Sequence, residues 1–186
     1  HAAPEGSGAM SAVLGMDAAV IEDVLNGREG VSIANYNCPG QIVITGEADA
    51  VAEAGTVLKE AGARRVLPLK VSGPFHSPMM RPAGEELAKV FARVSMNPLK
   101  IPYVANINAE VITDCGRIEG LLVEQVSGSV RWQQSVETMI REGVDTFVEI
   151  GPGKTLTGFL RKIDKNVKAY HIGSWEEAVQ VCEELK

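Results

Sequence analysis

The sequence predicts an α/β protein in two parts, on three observations. Residues 9–69 alternate strand-like and helix-like patterns in the order βαββαβ, the split-βαβ or ferredoxin-like order. From residue 65 onward strands and helices alternate, which favours α/β layering. That second half offers only three or four strands, whereas a parallel sheet has helices on both faces and strands beside any central one. Residues 70–186 therefore read as part of a larger sheet.

Each element has its reason. Residues 1–8, His1-Ala2-Ala3-Pro4-Glu5-Gly6-Ser7-Gly8, are small, polar and patternless and read as a leader or linker. Ala9 to Leu14 reads as a strand. Asp17 stands where it can cap a helix whose Val20, Ile21, Val24 and Leu25 share one face. Val31–Asn37 and Gln41–Thr45 flank the Cys38-Pro39-Gly40 turn as a hairpin. Ala48–Ala61 is a helix with Val51, Ala54 and Leu58 on one side, and Gly62 ends it. Arg64–Leu69 is a strand that Pro68 confines to an edge or terminal position.

Beyond residue 70, a helix runs to Val94 with Leu87, Val90, Phe91 and Val94 as its buried stripe. Pro78 and Pro82 place its start only roughly, since proline is tolerated only in the first turn. Ile101–Asn106 is a strand, Ile107–Cys115 a connection with a short extended piece, and Arg117–Val126 a helix. Trp132, Val136, Met139 and Ile140 form the face of another helix, closed by Gly143. Thr146–Ile150 reads as a buried strand and Lys168–Ile172 as the last one. Between them, Gly151-Pro152-Gly153 turns into a helix with Leu156, Phe159, Leu160 and Ile163. Ser174 with Glu177 forms a capping box for the terminal helix.

Composition narrows the function. Of 186 residues 45% are apolar and 23% charged, the balance of an ordinary globular chain. A net charge of −6 without any Lys/Arg-rich run speaks against nucleic acid as a partner. No apolar run is long enough for a membrane span, and no signal-peptide pattern is visible. Cys38, Cys115 and Cys182 are odd in number and widely spaced, which suits a reducing cytoplasm and lacks zinc-ligand spacing.

The chemistry centres on Val71-Ser72-Gly73-Pro74-Phe75-His76-Ser77-Pro78-Met79. A strand-like run leads into it, Gly73-Pro74 breaks the run, and a helix follows. A histidine there either packs and caps the turn or is held out as a general base, which needs hydrogen-bond reach first. Asn35 and Asn37 leave one face at a strand end, as turn residues or as amides lining a cleft. Gly151-Pro152-Gly153-Lys154-Thr155 is not a phosphate loop, because Val148 stands where the pattern needs glycine. Its N–H groups could still face an anion. No Gly-x-Ser-x-Gly elbow, carboxylate pair or metal cluster stands out.

Taken together, GAMSAVLG, ANYNCPGQIVITG, VSGPFHSPMM with RPAGEEL, SVRWQQSVE and EIGPGKTLTGFLRKI give the chain a resemblance to the C-terminal portion of the malonyl-CoA:acyl carrier protein transacylase family. The resemblance implies a ferredoxin-like small subdomain at residues 9–69, and at 70–186 the C-terminal part of an α/β-hydrolase-like acyltransferase subdomain. It implies malonyl transfer from malonyl-CoA to the phosphopantetheine thiol of acyl carrier protein through an acyl-serine, in fatty-acid biosynthesis. No bound cofactor or metal is implied.

By the same resemblance His76 is the general base and acid, oriented by the backbone carbonyl of Gln125. Asn35, Asn37 and Phe75 would lie along the substrate path. The serine belongs to a GHSxGE-type elbow that this sequence does not contain, so the isolated chain is expected to be inactive. His76→Ala in the complete enzyme is expected to cost several kcal/mol and Gln125→Ala little. The alternatives are an acyltransferase domain of a polyketide synthase and a non-catalytic module that binds carrier protein. An incomplete sheet also invites self-association.

Overall fold

The computed structural model describes residues 6–71 and 73–186. Residues 1–5 of the expected leader and Ser72 of the histidine motif lie outside the described residues.

The first part is a four-stranded antiparallel sheet with two helices. In chain order it holds β1 (Gly8–Leu14), α1 (Ala18–Leu25), β2 (Val31–Cys38), β3 (Gln41–Glu47), α2 (Ala48–Glu60) and β4 (Arg65–Pro68). The strand order is β2-β3-β1-β4, so the βαββαβ expectation holds. Pro68 sits on the edge strand, where its missing N–H costs no ladder bond. Gly8 opens β1 opposite Glu47 instead of ending a leader. Having no side chain lets it pass under Pro74, whose ring would lie 2.5 Å from an added Cβ.

Period-two alternation divides this sheet into two faces. Val13, Ile33, Tyr36, Ile42 and Ile44 pack against Ile21, Leu25, Val51, Ala54 and Leu58 of the helices. Side chains such as Ile44 and Leu58, with no exposed area, each contribute about 1.5–3 kcal/mol by burial. Met10, Ala12, Ala34 and Val43 form a second cluster. Burial pushes the Cys38 thiol above its ordinary pKa, partly offset by Lys162, so it stays a protonated core side chain.

The second part contains α3 (Arg81–Phe91), β5 (Tyr103–Val104), β6 (Val111–Ile112), α4 (Ile118–Ser127), α5 (Trp132–Arg141), β7 (Thr146–Ile150), α6 (Thr155–Ile163), β8 (Lys168–Ile172) and α7 (Trp175–Glu184). β5 and β6 form a short hairpin, shorter than the strand expected from Ile101 to Asn106. β7 and β8 are parallel, in register from Thr146↔Lys168 to Ile150↔Ile172, with α6 as the crossover. α5 and α6 lie against β2, joining the two parts.

Two burial expectations fail. Of the α3 stripe, Leu87 and Phe91 are half-buried, while Val90 and Val94 are 58% and 47% exposed. The helix closes on α4 along Gly84, where an added Cβ would lie 3.1 Å from the Val123 carbonyl, so Val90 points off the contact line. β7 is also open: Ile150 is 78% exposed, because among the described residues β7 pairs only with β8. In both places the apolar pattern marks a surface that these elements leave uncovered.

Candidate functional site

His76 lies on the turn between β4 and α3. Its φ of 59° is left-handed, a conformation that a non-glycine residue adopts only when its surroundings hold it there. The holding contacts are close at hand. Ser77, fully buried, donates its hydroxyl to the Pro74 carbonyl at 2.7 Å. Met80 N–H donates to the Ser77 carbonyl at 2.9 Å, and the Pro74 ring rests on Gly8. A 3-10 turn over Pro78–Met80 then leads into α3, with prolines at the start of each.

The ring of His76 is half-buried, and its Nδ1 lies 3.0 Å from the Gln125 carbonyl oxygen. A carbonyl only accepts, so Nδ1 carries the proton in the neutral ring and Nε2 keeps a lone pair. Gln125 sits in the last turn of α4, where the final carbonyls have no donor within the helix. The fold thus brings together two residues 49 apart in the chain.

The other expected residues are placed differently. Phe75, next to His76, is 41% exposed. Asn35 and Asn37 are half-buried in β2, and two register irregularities pass through this stretch. Asn35 is opposite Val43, whereas Asn37 is the extra residue of a bulge between Tyr36 and Cys38, so strict alternation does not govern it. Among the described residues neither asparagine is a hydrogen-bonding partner of His76. Between them Tyr36 donates its hydroxyl to Glu22 at 2.7 Å, and the Arg131 guanidinium sits 5.4 Å from its ring centroid. Burial first, then the Glu22 hydrogen bond and charge, push the phenol up to about 12 against the pull of Arg131, so it remains a donor.

The link between the asparagine strand and His76 is a segment that entered the sequence reading only through the block SVRWQQSVE, which begins at Ser129. Residues 128–131 run along the outer edge of β2. Ser129 donates its hydroxyl to the Ile33 carbonyl at 2.6 Å, Val130 N–H donates to Ala34 at 2.7 Å, and Tyr36 N–H donates to Val130 at 2.8 Å. Asn35 and Val130 form an isolated parallel bridge. Locally the Ser127-Gly128-Ser129 run reads as an ordinary helix end, so the pairing with β2 is not announced by the pattern of these residues.

The glycine turn before α6 carries an anion of its own. The Glu149 carboxylate accepts from Leu156 N–H at 3.1 Å, Thr157 N–H at 2.7 Å and the Thr157 hydroxyl at 2.6 Å. Those are the donors that an external anion would have used. Burial pushes the carboxyl up, but the hydrogen bonds from Thr157 and Leu156, with a smaller contribution from His171, leave it below the usual range. His171 is engaged as a clasp, its Nε2 donating to the Gly151 carbonyl at 2.9 Å. Among the described residues no group of three or more His, Cys, Asp or Glu could hold a metal.

Glu149→Gln is expected to lower stability at neutral pH by about 1–2 kcal/mol, from hydrogen bonds to a charged acceptor. A depressed folded pKa stabilises above the unfolded value, about 4.3 for glutamate, and that contribution disappears as pH falls through the folded value. The gap between the urea midpoints of the two proteins should therefore begin to narrow as pH falls below about 4.3. A constant gap from pH 7 to 3 would show that the charge plays no part.

A comparison with known proteins gives a consistent result. The family described as "Acyl transferase domain" matches residues 2–181. The malonyl CoA-acyl carrier protein transacylase of Bacillus subtilis is 43% identical over 190 residues, covering 100% of this chain and 60% of that protein. The enzyme of the same name from Escherichia coli K12 is 43% identical over 167 residues, covering 88% and 54%. Among solved structures, an acyl-carrier-protein-S-malonyltransferase from Bartonella henselae superposes with a TM-score of 0.94 at 41% identity, over 99% of this chain and 60% of its own. A malonyl-transacylase in complex with its type II PKS acyl-carrier protein gives 0.91 at 37%, over 98% and 60%. The chain thus spans 60% or less of the length of these relatives.

Proposed function

The chain belongs to the acyl transferase domain family, and from that premise we propose that it is part of a malonyltransferase acting from malonyl-CoA to the phosphopantetheine thiol of acyl carrier protein. The carrying observation is the hydrogen bond from His76 Nδ1 to the Gln125 carbonyl. It leaves Nε2 as the free basic nitrogen, the arrangement a general base needs. A backbone carbonyl takes the orienting place that a carboxylate holds in the Ser-His-Asp triad.

In this reading the nucleophile is a serine outside these 186 residues. His76 Nε2 takes the serine proton as the oxygen attacks the malonyl thioester. The tetrahedral intermediate collapses, the C–S bond breaks, and the imidazolium returns the proton to the departing CoA sulfur. In the second half His76 deprotonates the pantetheine thiol, its sulfur attacks the acyl-serine, and the serine oxygen leaves with the proton. The isolated chain is inactive because it lacks the serine.

Residues 9–69 are the small subdomain and 70–186 belong to the large one. Asn35, Asn37 and Phe75 line the substrate path, with Phe75 favouring malonyl over an α-methyl analogue by no more than about 1–3 kcal/mol, the usual limit for one methyl group. The setting is fatty-acid biosynthesis in the cytoplasm; among the described residues no helix is long and apolar enough to cross a membrane. The likeness to a transacylase bound to a type II PKS carrier protein favours a polyketide setting as the second reading.

The test is transfer of label from [malonyl]-labelled malonyl-CoA to holo-acyl carrier proteins of both kinds, using the complete protein that contains this segment. Label on the fatty-acid carrier is expected. Label on neither carrier would overturn the proposal, and label on the polyketide carrier alone would select the second reading.

A further inference from the structure

We infer that the side chain of Gln125, and not only its carbonyl, is a positioning element for His76, coupling the imidazole to the edge of β2. This rests on the reading of His76 as the base. The carbonyl of Gln125 accepts from His76 Nδ1 at 3.0 Å. Its side-chain Nε2 donates to the Gly128 carbonyl at 3.0 Å and to the Ser129 carbonyl at 3.3 Å. Both partners can only accept, so the amide has one orientation. One residue therefore holds the imidazole with its main chain and the 128–131 segment with its side chain.

That segment is fastened to β2 at three points: Ser129 Oγ to Ile33, Val130 N–H to Ala34, and Tyr36 N–H to Val130. At its root Gly128 packs closely on the end of α4, where an added Cβ would lie 3.0 Å from the Glu124 carbonyl oxygen. The last turn of a helix frays when its terminal carbonyls go unsatisfied. Here the Gln125 amide closes that turn onto a segment anchored to the opposite subdomain. The carbonyl that sets the His76 tautomer thereby keeps its place relative to β2, the strand that carries Asn35 and Asn37. A displacement of about 1 Å at such a point can cost about 100-fold in rate. Gln125→Ala is therefore no longer expected to be nearly silent.

The experiment compares Gln125→Met, which keeps the length and loses the donor, with Gln125→Lys, which keeps a donor able to reach the last carbonyls. In the 186-residue chain, ring ¹⁵N shifts report the His76 tautomer and amide exchange reports Val130 and Tyr36. With Met, the single Nδ1–H tautomer should become a mixture and exchange at both amides should rise at least ~10-fold; with Lys both should stay near wild type. In the complete protein the Met variant should lose about 10- to 100-fold in kcat with KM within about twofold. Wild-type tautomer and exchange in Gln125→Met would overturn the inference.

If that variant does not fold, Ser129→Ala removes one anchor and should raise Val130 exchange and lower kcat; no change in either would equally overturn it. Failure of the base assignment looks different. His76→Ala would then leave transfer intact, while Gln125→Met would still disturb the tautomer.

Discussion

His76→Ala in the complete protein is expected to lower kcat by at least ~100- to 1,000-fold, with little change in KM for malonyl-CoA. The ring is asked to move a proton twice in each cycle, and losing such a group typically removes about 3–4 kcal/mol or more of transition-state stabilisation. Binding should persist because the histidine is not proposed to grip the substrate. Both half-reactions need the base, so labelled malonyl should fail to accumulate on the protein as well as on the carrier. The turn should survive the substitution: Ser77 Oγ to Pro74 and Met80 N–H to Ser77 do not involve the imidazole. Alanine must still adopt φ near 59°, so His76→Asn, a residue better suited to that conformation, is the companion variant. Wild-type turnover in either variant would remove His76 from the mechanism.

The largest effect on stability is expected at Gly46, far from the site. Its φ is 148°, and an added Cβ would lie 1.9 Å from the Gly30 carbonyl oxygen. That oxygen is not free to retreat, because it accepts the Glu47 N–H at 2.8 Å. Gly46 also faces Ala9 on one side and Val31 on the other, within the sheet. Gly46→Ala therefore combines backbone strain of about 1–3 kcal/mol with overpacking of similar size, about 2–6 kcal/mol in all. That is a large share of the 5–15 kcal/mol typical of a folded domain. A urea or thermal midpoint unchanged by the substitution would refute the close approach of these backbones.

Much of the architecture was legible because it rests on local signals. The strand-like runs Ala9–Leu14 and Gln41–Thr45, the alternation in Val31–Asn37, the Pro39-Gly40 turn and the 3.6-residue period of Ala48–Ala61 were enough to order the small sheet. The capping box at Ser174 was legible: the hydroxyl accepts the Glu177 N–H at 3.2 Å, and the Glu177 carboxylate reaches back to accept from the Gly173 N–H at 2.6 Å, one residue before the cap. Burial was less readable. Val90 and Ile150 are apolar at the right period and yet exposed, since periodicity reports which side is apolar and not whether anything covers it.

The sequence by itself determined the βαββαβ order, the edge position of Pro68 and the histidine turn, because each depends on residues near one another in the chain. Only the tertiary structure decided that residues 128–131 zip onto β2 and that Glu149 occupies the donors of the glycine turn; that the Gln125 carbonyl, 49 residues away, meets the imidazole was implied by the family resemblance and by no local pattern. Those are backbone and side-chain pairings across long separations, and nothing in the local pattern of Gln125, Ser129 or Glu149 encodes which distant partner will be brought within three ångströms.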